Sequence, residues 1–543
     1  MHLNLIVHLT SLRLNCKNSG VLIFVSSTMH HNEMHHLLLF LFLFAIPIPV
    51  ATSNTQTFTV AQTTTPWHHH WEESIGSGHA ALTSRADWRA HLTRCATELG
   101  VKRTRFHGLL DDDFQISLQE GTPNYVNLDS LIDFHLSIGM EPLFEVSFMP
   151  SWLATNKTQT VTYYKGITSP PANMTKWGTV IYEMVQHIHH RYPNNTFMFE
   201  VWNEPNGGFF TPGNSPTQET KLNKYLQLYI ETSNNIKKAS HNMYQVGGPA
   251  SAGCPSQWLT ALMNVSHTKQ AAVDFLSCHS YGGGKFKNVS GDLTALDVSH
   301  VRTIAGALPV VLTEWSSSWS YNNGYHDDIA SVPFILAAVD QLGPHVDISS
   351  YWTFSDVFEE GSLIPTPFHG GFGLLTIQGI PKPSFRAFQL LHGTGNVKYT
   401  VTKVHTKNVT ACGTDAGILV TSLAATGVGN VGASKRIFMY NHPKNYMTSG
   451  ITCTITLIGL DLGPTSAVRH SRIDLEHANP MLEWQNMGSP MYPSLDQVKR
   501  LEAASELVWT NMNENDSRES GRRGGLTFDV APNGLVVVDV LSE

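Results

Sequence analysis

Two glutamates, each beside an apolar run and a tryptophan, are the residues of this sequence best suited to carry chemistry. Glu204 follows the apolar part of FEVWNEPN (199–206), and Glu314 lies in VVLTEWSS (310–317). Burial of Glu204 against Trp202 would raise the pKa of its carboxyl group, as a general acid requires near neutral pH. A second carboxylate about 5 to 5.5 Å away would act as the nucleophile of a retaining glycosidase. We therefore predict that Glu204 is the acid/base and Glu314 the nucleophile.

Two polar side chains are expected to support this pair. Arg105 lies at the end of a strand-like run, in the tetrapeptide RFHG (105–108). Its guanidinium could keep Glu314 ionised by pairing with it, and a purely structural ion pair is the alternative. Asn203, next to Glu204, would hold the 2-hydroxyl of the sugar.

The chain around these residues alternates short β-like runs with longer helix-like runs from residue 71 to 383, which is typical of βα units. The candidate strands are 101–106, 141–146, 197–202, 244–248, 275–279, 310–314 and 348–354, and the clearest helices are 129–138, 177–191 and 217–240. The catalytic candidates fall where strands end, which is the face of a parallel barrel that carries active sites. The sequence therefore predicts an α/β fold with a (β/α)8 TIM barrel over residues 71–383.

A change of pattern after residue 383 indicates a second domain. Strand-like runs at 399–404, 417–422, 436–440, 453–458 and 534–541 are separated by polar and glycine-rich turns. They predict a C-terminal β-sandwich domain over 384–543, interrupted by one helix-like run at 494–507 and a polar loop at 511–525. A short run at 57–60, within the segment 54–70, is expected to add a strand to that sandwich.

Composition and motifs narrow the class of ligand. The formal net charge is -8 over 543 residues, and Lys and Arg form no long basic stripe. This argues against nucleic acid and anionic membranes and favours a neutral substrate. The chain has no G-x-G-x-x-G, P-loop or H-E-x-x-H motif, so no cofactor is expected. The run His68-His69-His70 lacks matching carboxylates, so no metal is expected either, and the sequence does not reveal the oligomeric state.

The amino-terminal segment 1–53 reads as an extension followed by a signal peptide. The apolar run 37–46 is shorter than the ~18 to 20 residues of a membrane span and ends at Pro47 and Pro49. Cleavage near residues 51–53 would leave no membrane anchor and would send the protein through the secretory pathway, to the lysosome or outside the cell. Export is consistent with the N-x-S/T sequons at Asn156, Asn173, Asn194, Asn264, Asn288, Asn408 and Asn515.

The cysteines predict few cross-links. Removal of Cys16 with the signal would leave Cys95, Cys254, Cys278, Cys412 and Cys453, and no pair has C-x-x-C spacing. At most two disulfides can form. A Cys412–Cys453 bond is expected because both residues lie in the late β-rich region.

Several segments together resemble glycoside hydrolase family 39, which contains β-xylosidases and α-L-iduronidases. The matching segments are GHAA (78–81), RFHGLL (105–110), FEVSFMP (144–150), NEPN (203–206), HSY (279–281), SYWTFSD (350–356), and the late motifs around 472–480 and 484–490. The resemblance implies a (β/α)8 barrel with the acid/base, Glu204, after the fourth strand and the nucleophile, Glu314, after the seventh. It also implies sugar contacts by His79, Asn203, His279, Tyr281 and Asp356. His107 and Trp315 are further candidates, for which packing or an indirect hydrogen bond is the alternative.

Two departures from the iduronidase pattern favour the β-xylosidase branch. The sequence has HSYG (279–282) and PFHGGFG (367–373) where the iduronidases are expected to carry a lysine and an arginine. A uronic carboxylate without a cation would be desolvated at a cost of several kcal/mol. We therefore predict a retaining exo-acting hydrolase that releases xylose from β-xylosides. The alternatives are an iduronidase-type hydrolase with Lys285 or Lys287 as the cation, and a carbohydrate-binding protein without activity.

Overall fold

The computed structural model describes residues 54–283, 293–404, 415–424, 434–442, 451–460, 466–512 and 525–541. The predicted signal peptide, Lys285, Lys287 and Cys412 lie outside these ranges. Within them, no helix is both long enough and apolar enough to cross a membrane.

Eight parallel strands form a closed barrel, because the last of them pairs with the first through Ser350 and Ser74. In chain order they are β2 (Ser74–His79), β3 (Arg103–His107), β4 (Glu141–Val146), β7 (Met198–Val201), β8 (Gln245–Ala252), β9 (Phe275–Tyr281), β10 (Val310–Ser316) and β11 (Ile348–Tyr351). Nearly every residue in them is buried, as expected for parallel strands that are covered on both faces. The predicted barrel is confirmed.

Helices cover the barrel. They are α1 (Ala86–Leu99), α2 (Val126–Ser137), α3 (Met174–Arg191), α4 (Gln218–Ala239), α5 (Ser256–His267), α6 (Ser299–Ala305), α7 (Ser331–Leu342) and α8 (Pro383–His392). Helix α3 shows why the pattern was readable: the Asn173 side chain caps its first turn by accepting from the Lys176 amide, and Trp177, Ile181 and Met184 lie on its buried face. Helix α8 lies beyond residue 383, at which the sequence pattern divided the chain.

The first barrel strand, β2, was not among the predicted strands. Its sequence, SIGSGH, contains one large apolar residue and two glycines, so it lacks the run that marks a buried strand. The small residues are required by packing, since a Cβ on Gly76 would lie 2.5 Å from the Trp352 ring. Tertiary contact therefore determined this strand.

A second sheet of nine strands follows the barrel. Its members are β1 (Asn54–Pro66), β12 (Thr394–Val404), β13 (Asp415–Leu423), β14 (Lys435–His442), β15 (Cys453–Ile458), β16 (Ala467–Ile473), β17 (Thr510–Asn511), β18 (Gly525–Val530) and β19 (Leu535–Leu541). Strand β1 pairs with β12 on one side and with β15 on the other. Phe58 and Leu457, on the neighbouring strands β1 and β15, share one apolar core with Ile437 and Val538. The latter two lie on β14 and β19, at a distance from the first pair in the sheet, so the sheet curls around the core as in a sandwich.

Two helices not belonging to the barrel layer, α9 (Pro480–Asn486) and α10 (Leu495–Ala504), lie between β16 and β17 in the chain. Helix α10 was predicted and begins with a capping box between Ser494 and Gln497. Helix α9 was not predicted. A small hairpin, β5 (Thr160–Val161) and β6 (Gly166–Ile167), follows β4.

Cysteine pairing includes one bond that the sequence did not predict. Cys254 and Cys278 form a disulfide, and Cys95 is a buried free thiol. Cys453 is disulfide-bonded. The expected Cys412–Cys453 bond stays a prediction because Cys412 lies outside the described residues.

Candidate active site

Glu204 and Glu314 meet at the carboxyl end of the barrel. Glu204 follows β7, and its left-handed backbone (φ 39°) turns the chain out of the strand, where its amide donates to the Ala250 carbonyl at 2.9 Å. Glu314 lies in β10, opposite His279 of β9 in the strand register. One oxygen of each carboxylate and one ring nitrogen of His279 all lie within 4.8 Å of one another.

A cavity of about 700 Å³ opens onto both glutamates. Its lining includes six predicted residues, namely His107, Asn203, Glu204, His279, Tyr281 and Glu314. The remaining side chains of interest in the lining are Phe209, Trp319, Trp352, Glu360 and Phe372. Aromatic faces beside a few polar groups are typical of pockets that bind small molecules.

The surroundings of Glu204 suit a general acid. Burial raises the pKa of its carboxyl group to about 7, against the smaller opposing influence of His107 and Arg105. Burial also lowers the pKa of His279 to about 4, so its imidazole is neutral. His279 Nε2 lies 3.4 Å from Arg105 Nη2, which can only donate, so Nδ1 carries the hydrogen. That nitrogen donates to Glu204 Oε1 at 2.9 Å.

Glu314 is held in one orientation by two hydrogen-bond donors. Arg105 Nη1 donates to Oε1 at 2.5 Å, and the Tyr281 hydroxyl donates to Oε2 at 2.5 Å. Such charge-assisted bonds fix the orientation of the carboxylate, as a nucleophile requires. The predicted pairing of Arg105 with Glu314 is present.

Arg105 is also the centre of a larger buried network. Its guanidinium forms an ion pair with Glu145 at 2.7 Å and donates to Glu200 at 2.8 Å, and its own side chain is fully buried. It donates to Asn203 Oδ1 at 2.8 Å as well, which leaves the Asn203 amide nitrogen for a hydroxyl in the cavity. The arginine is therefore both an ion-pair partner and a structural support, so the two interpretations of it are compatible.

His107 contributes a positive charge to the cavity wall. Its Nδ1 lies 2.7 Å from Glu145, and its Nε2 lies 3.3 Å from Glu360. Burial disfavours the imidazolium, but the two carboxylates outweigh burial and raise the pKa of His107 to about 10. The ring donates from both nitrogens and so fixes the Glu360 carboxylate at the cavity surface.

Three predicted contact residues, His79, Trp315 and Asp356, lie outside the cavity lining. His79 is covered by the Tyr164 ring, stacked at 4.0 Å, and its Nε2 pairs with Asp113 at 2.8 Å. Trp315 is fully buried against Tyr351, Phe334 and Phe388 between the barrel and its helices.

Asp356 is engaged by the protein itself. Its Oδ2 lies 2.7 Å from Lys382 Nζ, and its Oδ1 accepts from the Gly373 amide at 2.8 Å. Lys382 also pairs with Asp327 at 2.6 Å, and all three side chains are buried. This buried triad holds the segment that places Phe372 in the cavity wall.

Sequence reasoning missed the residues that act through long-range contact. Glu145 and Glu200 could have been noticed, because each is a carboxylate inside an apolar strand, a position that requires a buried partner. Trp319, Glu360 and Lys382 lie in irregular segments or at a helix start and carry no local signal. Barrel closure brings Trp319 and Glu360 into the cavity that contains Glu204 and Glu314.

The charge of the cavity limits which ligands it could bind. Among the residues that the structure describes, no lysine or arginine side chain lines the cavity, whereas Glu360 adds a third carboxylate to it. The two lysines of the alternative prediction, Lys285 and Lys287, fall in the undescribed segment 284–292.

Sequence comparison finds relatives across most of the chain. The family described as "Glycosyl hydrolases family 39" matches residues 57–517. A β-xylosidase from Caldicellulosiruptor saccharolyticus is 34% identical over 498 residues, covering 87% of this chain and 95% of that protein. A β-xylosidase from Geobacillus stearothermophilus is 29% identical over 476 residues, covering 81% of this chain and 87% of that protein.

Solved structures agree with the fold. A GH39 β-xylosidase from Caulobacter crescentus has a TM-score of 0.70 at 27% identity, covering 90% of this chain and 100% of that chain. A bacterial orthologue of human α-L-iduronidase has a TM-score of 0.65 at 19% identity, covering 90% of this chain and 84% of that chain. The second similarity concerns the fold alone.

Proposed function

The chain belongs to glycosyl hydrolases family 39 and is an O-glycosyl hydrolase, and we propose that it is a retaining, exo-acting β-xylosidase. The observation that carries the retaining mechanism is the approach of Glu204 and Glu314, which have carboxylate oxygens within 4.8 Å of each other. Inverting enzymes separate the two carboxyl groups by about 6.5 to 9.5 Å to admit a water molecule.

The proposed reaction proceeds by double displacement. Glu314 attacks the anomeric carbon while Glu204 protonates the departing glycosidic oxygen, which forms a glycosyl-enzyme and frees the aglycone. Glu204, now ionised, removes a proton from water as the water attacks the same carbon, which releases xylose and restores Glu314. A pKa of about 7 suits Glu204 to both proton transfers.

The cavity supports a neutral pentoside. An anionic sugar would meet Glu360 and Glu314 without a lysine or arginine among the described lining residues, so its desolvated carboxylate would lack compensation. The relatives from C. saccharolyticus and G. stearothermophilus are β-xylosidases, which supports xylose as the released sugar. Exo action is proposed on the same relationship.

The first experiment compares p-nitrophenyl β-D-xyloside with 4-methylumbelliferyl α-L-iduronide under the same conditions. We expect hydrolysis of the xyloside, loss of that activity in Glu314→Ala, and release of the β-anomer of xylose first, observed by proton NMR. Activity on the iduronide alone would overturn the substrate, and initial release of the α-anomer would overturn the retaining mechanism. Activity on neither substrate would favour a carbohydrate-binding role or a polymer-specific enzyme.

We further propose that the protein is exported and glycosylated. The apolar run 37–46 supports a cleaved signal peptide, and the sequon residues Asn173, Asn194 and Asn264 are exposed. Disulfides persist in oxidising compartments, so the Cys254–Cys278 bond is consistent with export. Mass spectrometry of the protein from its native source, before and after removal of N-glycans, would test cleavage and glycosylation together.

A further inference from the structure

A strained turn at the end of β8 contacts the backbone of the acid/base, Glu204. Three residues at the end of β8 and just after it, Ala250, Gly253 and Cys254, have φ values of 51°, 75° and 53°. A non-glycine residue in this left-handed region is strained and persists only where its surroundings hold it. Some of the holding contacts are visible: the Gly253 amide donates to the His279 carbonyl at 3.0 Å, and His300 Nε2 lies 2.8 Å from the Cys254 carbonyl.

This turn supports the backbone that carries Glu204. The Glu204 amide donates to the Ala250 carbonyl at 2.9 Å. Two residues further, the Asn206 side chain bonds both to the amide and to the carbonyl of Ala252, each at 2.9 Å. Any shift of the turn would therefore move the segment that contains Glu204.

The disulfide joins this turn to the residue that contacts the Glu204 carboxylate. Cys254 belongs to the turn, and Cys278 immediately precedes His279 in β9. His279 Nδ1 donates to Glu204 Oε1, as described above, and both cysteines are buried. One covalent bond thus links the support of the Glu204 backbone to the support of its carboxylate.

We propose that the Cys254–Cys278 disulfide is a positioning element for the acid/base Glu204. This proposal rests on the proposed function, because it assumes that Glu204 donates the proton. General acid catalysis contributes typically ~10²- to 10⁴-fold and depends on hydrogen-bonding reach to the leaving oxygen. Loosening the acid should therefore impair substrates that need protonation and spare those that do not.

The test is the leaving-group dependence of kcat/KM in a Cys254→Ala/Cys278→Ala double variant. We expect a loss on the order of tenfold or more for phenyl β-D-xyloside and for xylobiose, whose leaving groups need protonation. For 2,4-dinitrophenyl β-D-xyloside, whose leaving group departs unaided, we expect less than about a threefold loss. Glu204→Ala should show the same selectivity more strongly.

Cys95→Ala is the matched control, since it also removes a buried sulfur, in α1. Any loss in this variant should be equal for all leaving groups. If the double variant does not fold, Asn206→Ala provides a second test, because it frees the Glu204 segment from the same turn and leaves the disulfide intact. It should show the same selectivity for leaving groups.

Each result has a distinct meaning. A double variant with no loss, or with equal losses for every leaving group, would overturn the positioning proposal while leaving the proposed function in place. Wild-type enzyme inactive on all β-xylosides, or Glu204→Ala with equal losses, would overturn the proposed function and the positioning proposal with it.

Discussion

At the scale of single residues, the ionisation of Glu204 should set the alkaline limit of activity. Burial raises its pKa to about 7, and only the protonated form can act as the general acid. We expect kcat/KM on phenyl β-D-xyloside to fall as the pH rises through about 7. In Glu204→Gln, the residual kcat/KM on the dinitrophenyl substrate should lack that limb.

The same raised pKa predicts an effect on stability. Ionising Glu204 is harder in the folded protein than in the unfolded chain, so its contribution is complete below the unfolded value of 4.5 and is lost as the pH rises to about 7. Glu204→Gln should therefore raise Tm relative to wild type more at pH 8 than at pH 5. For the activity profile, an alkaline limb of kcat/KM that persists in Glu204→Gln would assign that titration to another group.

Glu360 should be the contact residue that sequence reasoning overlooked. Its carboxylate lines the cavity and is oriented by His107. Glu360→Gln should lower kcat/KM on xylosides by roughly 10- to 100-fold, because hydrogen bonds to a charged group contribute about 1.5 to 3 kcal/mol. Glu359→Gln is the matched control, since Glu359 has the same 25% side-chain exposure but lies outside the cavity lining and faces His79. Similar losses in both variants would contradict a direct role for Glu360.

At the scale of elements, the buried triad of Lys382, Asp327 and Asp356 should stabilise the segments after β10 and β11. Lys382→Met would leave two buried carboxylates without their cation, at a cost of about 3 to 5 kcal/mol of unfolding free energy. Since the triad holds the segment of Phe372, activity should fall as well. Lys499→Met, at a side chain that is 76% exposed, should leave Tm and activity unchanged. Thermal unfolding of both variants tests this. Equal Tm values for Lys382→Met and Lys499→Met would show that the triad adds no stability.

Element prediction succeeded where the pattern was local. Helix α3 has a cap and an apolar face within its own sequence, and β4 was predicted with its observed bounds. Strand β2 was missed because its glycine is required by Trp352, far away in the chain.

At the scale of the whole molecule, the amino-terminal strand should be essential for the second sheet. Strand β1 lies between β12 and β15, and Phe58 and Val60 contribute to the core of that sheet. A chain that begins at residue 67 would expose two unpaired strand edges, which promote aggregation. We expect this variant to lose soluble yield and Tm relative to a chain that begins at Asn54. Comparable Tm and yield would show that the sheet closes without β1.

The two parts of the molecule also share buried contacts. Arg436 of β14 donates to the Leu390 carbonyl of α8 at 2.9 Å, and Arg386 of α8 donates to the Ser505 carbonyl at 2.8 Å. Since α8 packs on the barrel, damage to the sheet should lower the stability of the whole chain as measured by unfolding.

Local sequence was sufficient to predict the barrel and the pairing of Glu204 with Glu314, because strand periodicity and a carboxylate at a strand end are properties of a few adjacent residues. Several short motifs indicated the family by resemblance. Local sequence did not reveal the long-range contacts that surround the site. Glu360, the Lys382 triad and the Cys254–Cys278 bond depend on which loops meet when the barrel closes. The same packing turned Trp315 and Asp356 away from the cavity, since a side chain's surroundings are set by elements distant in the chain.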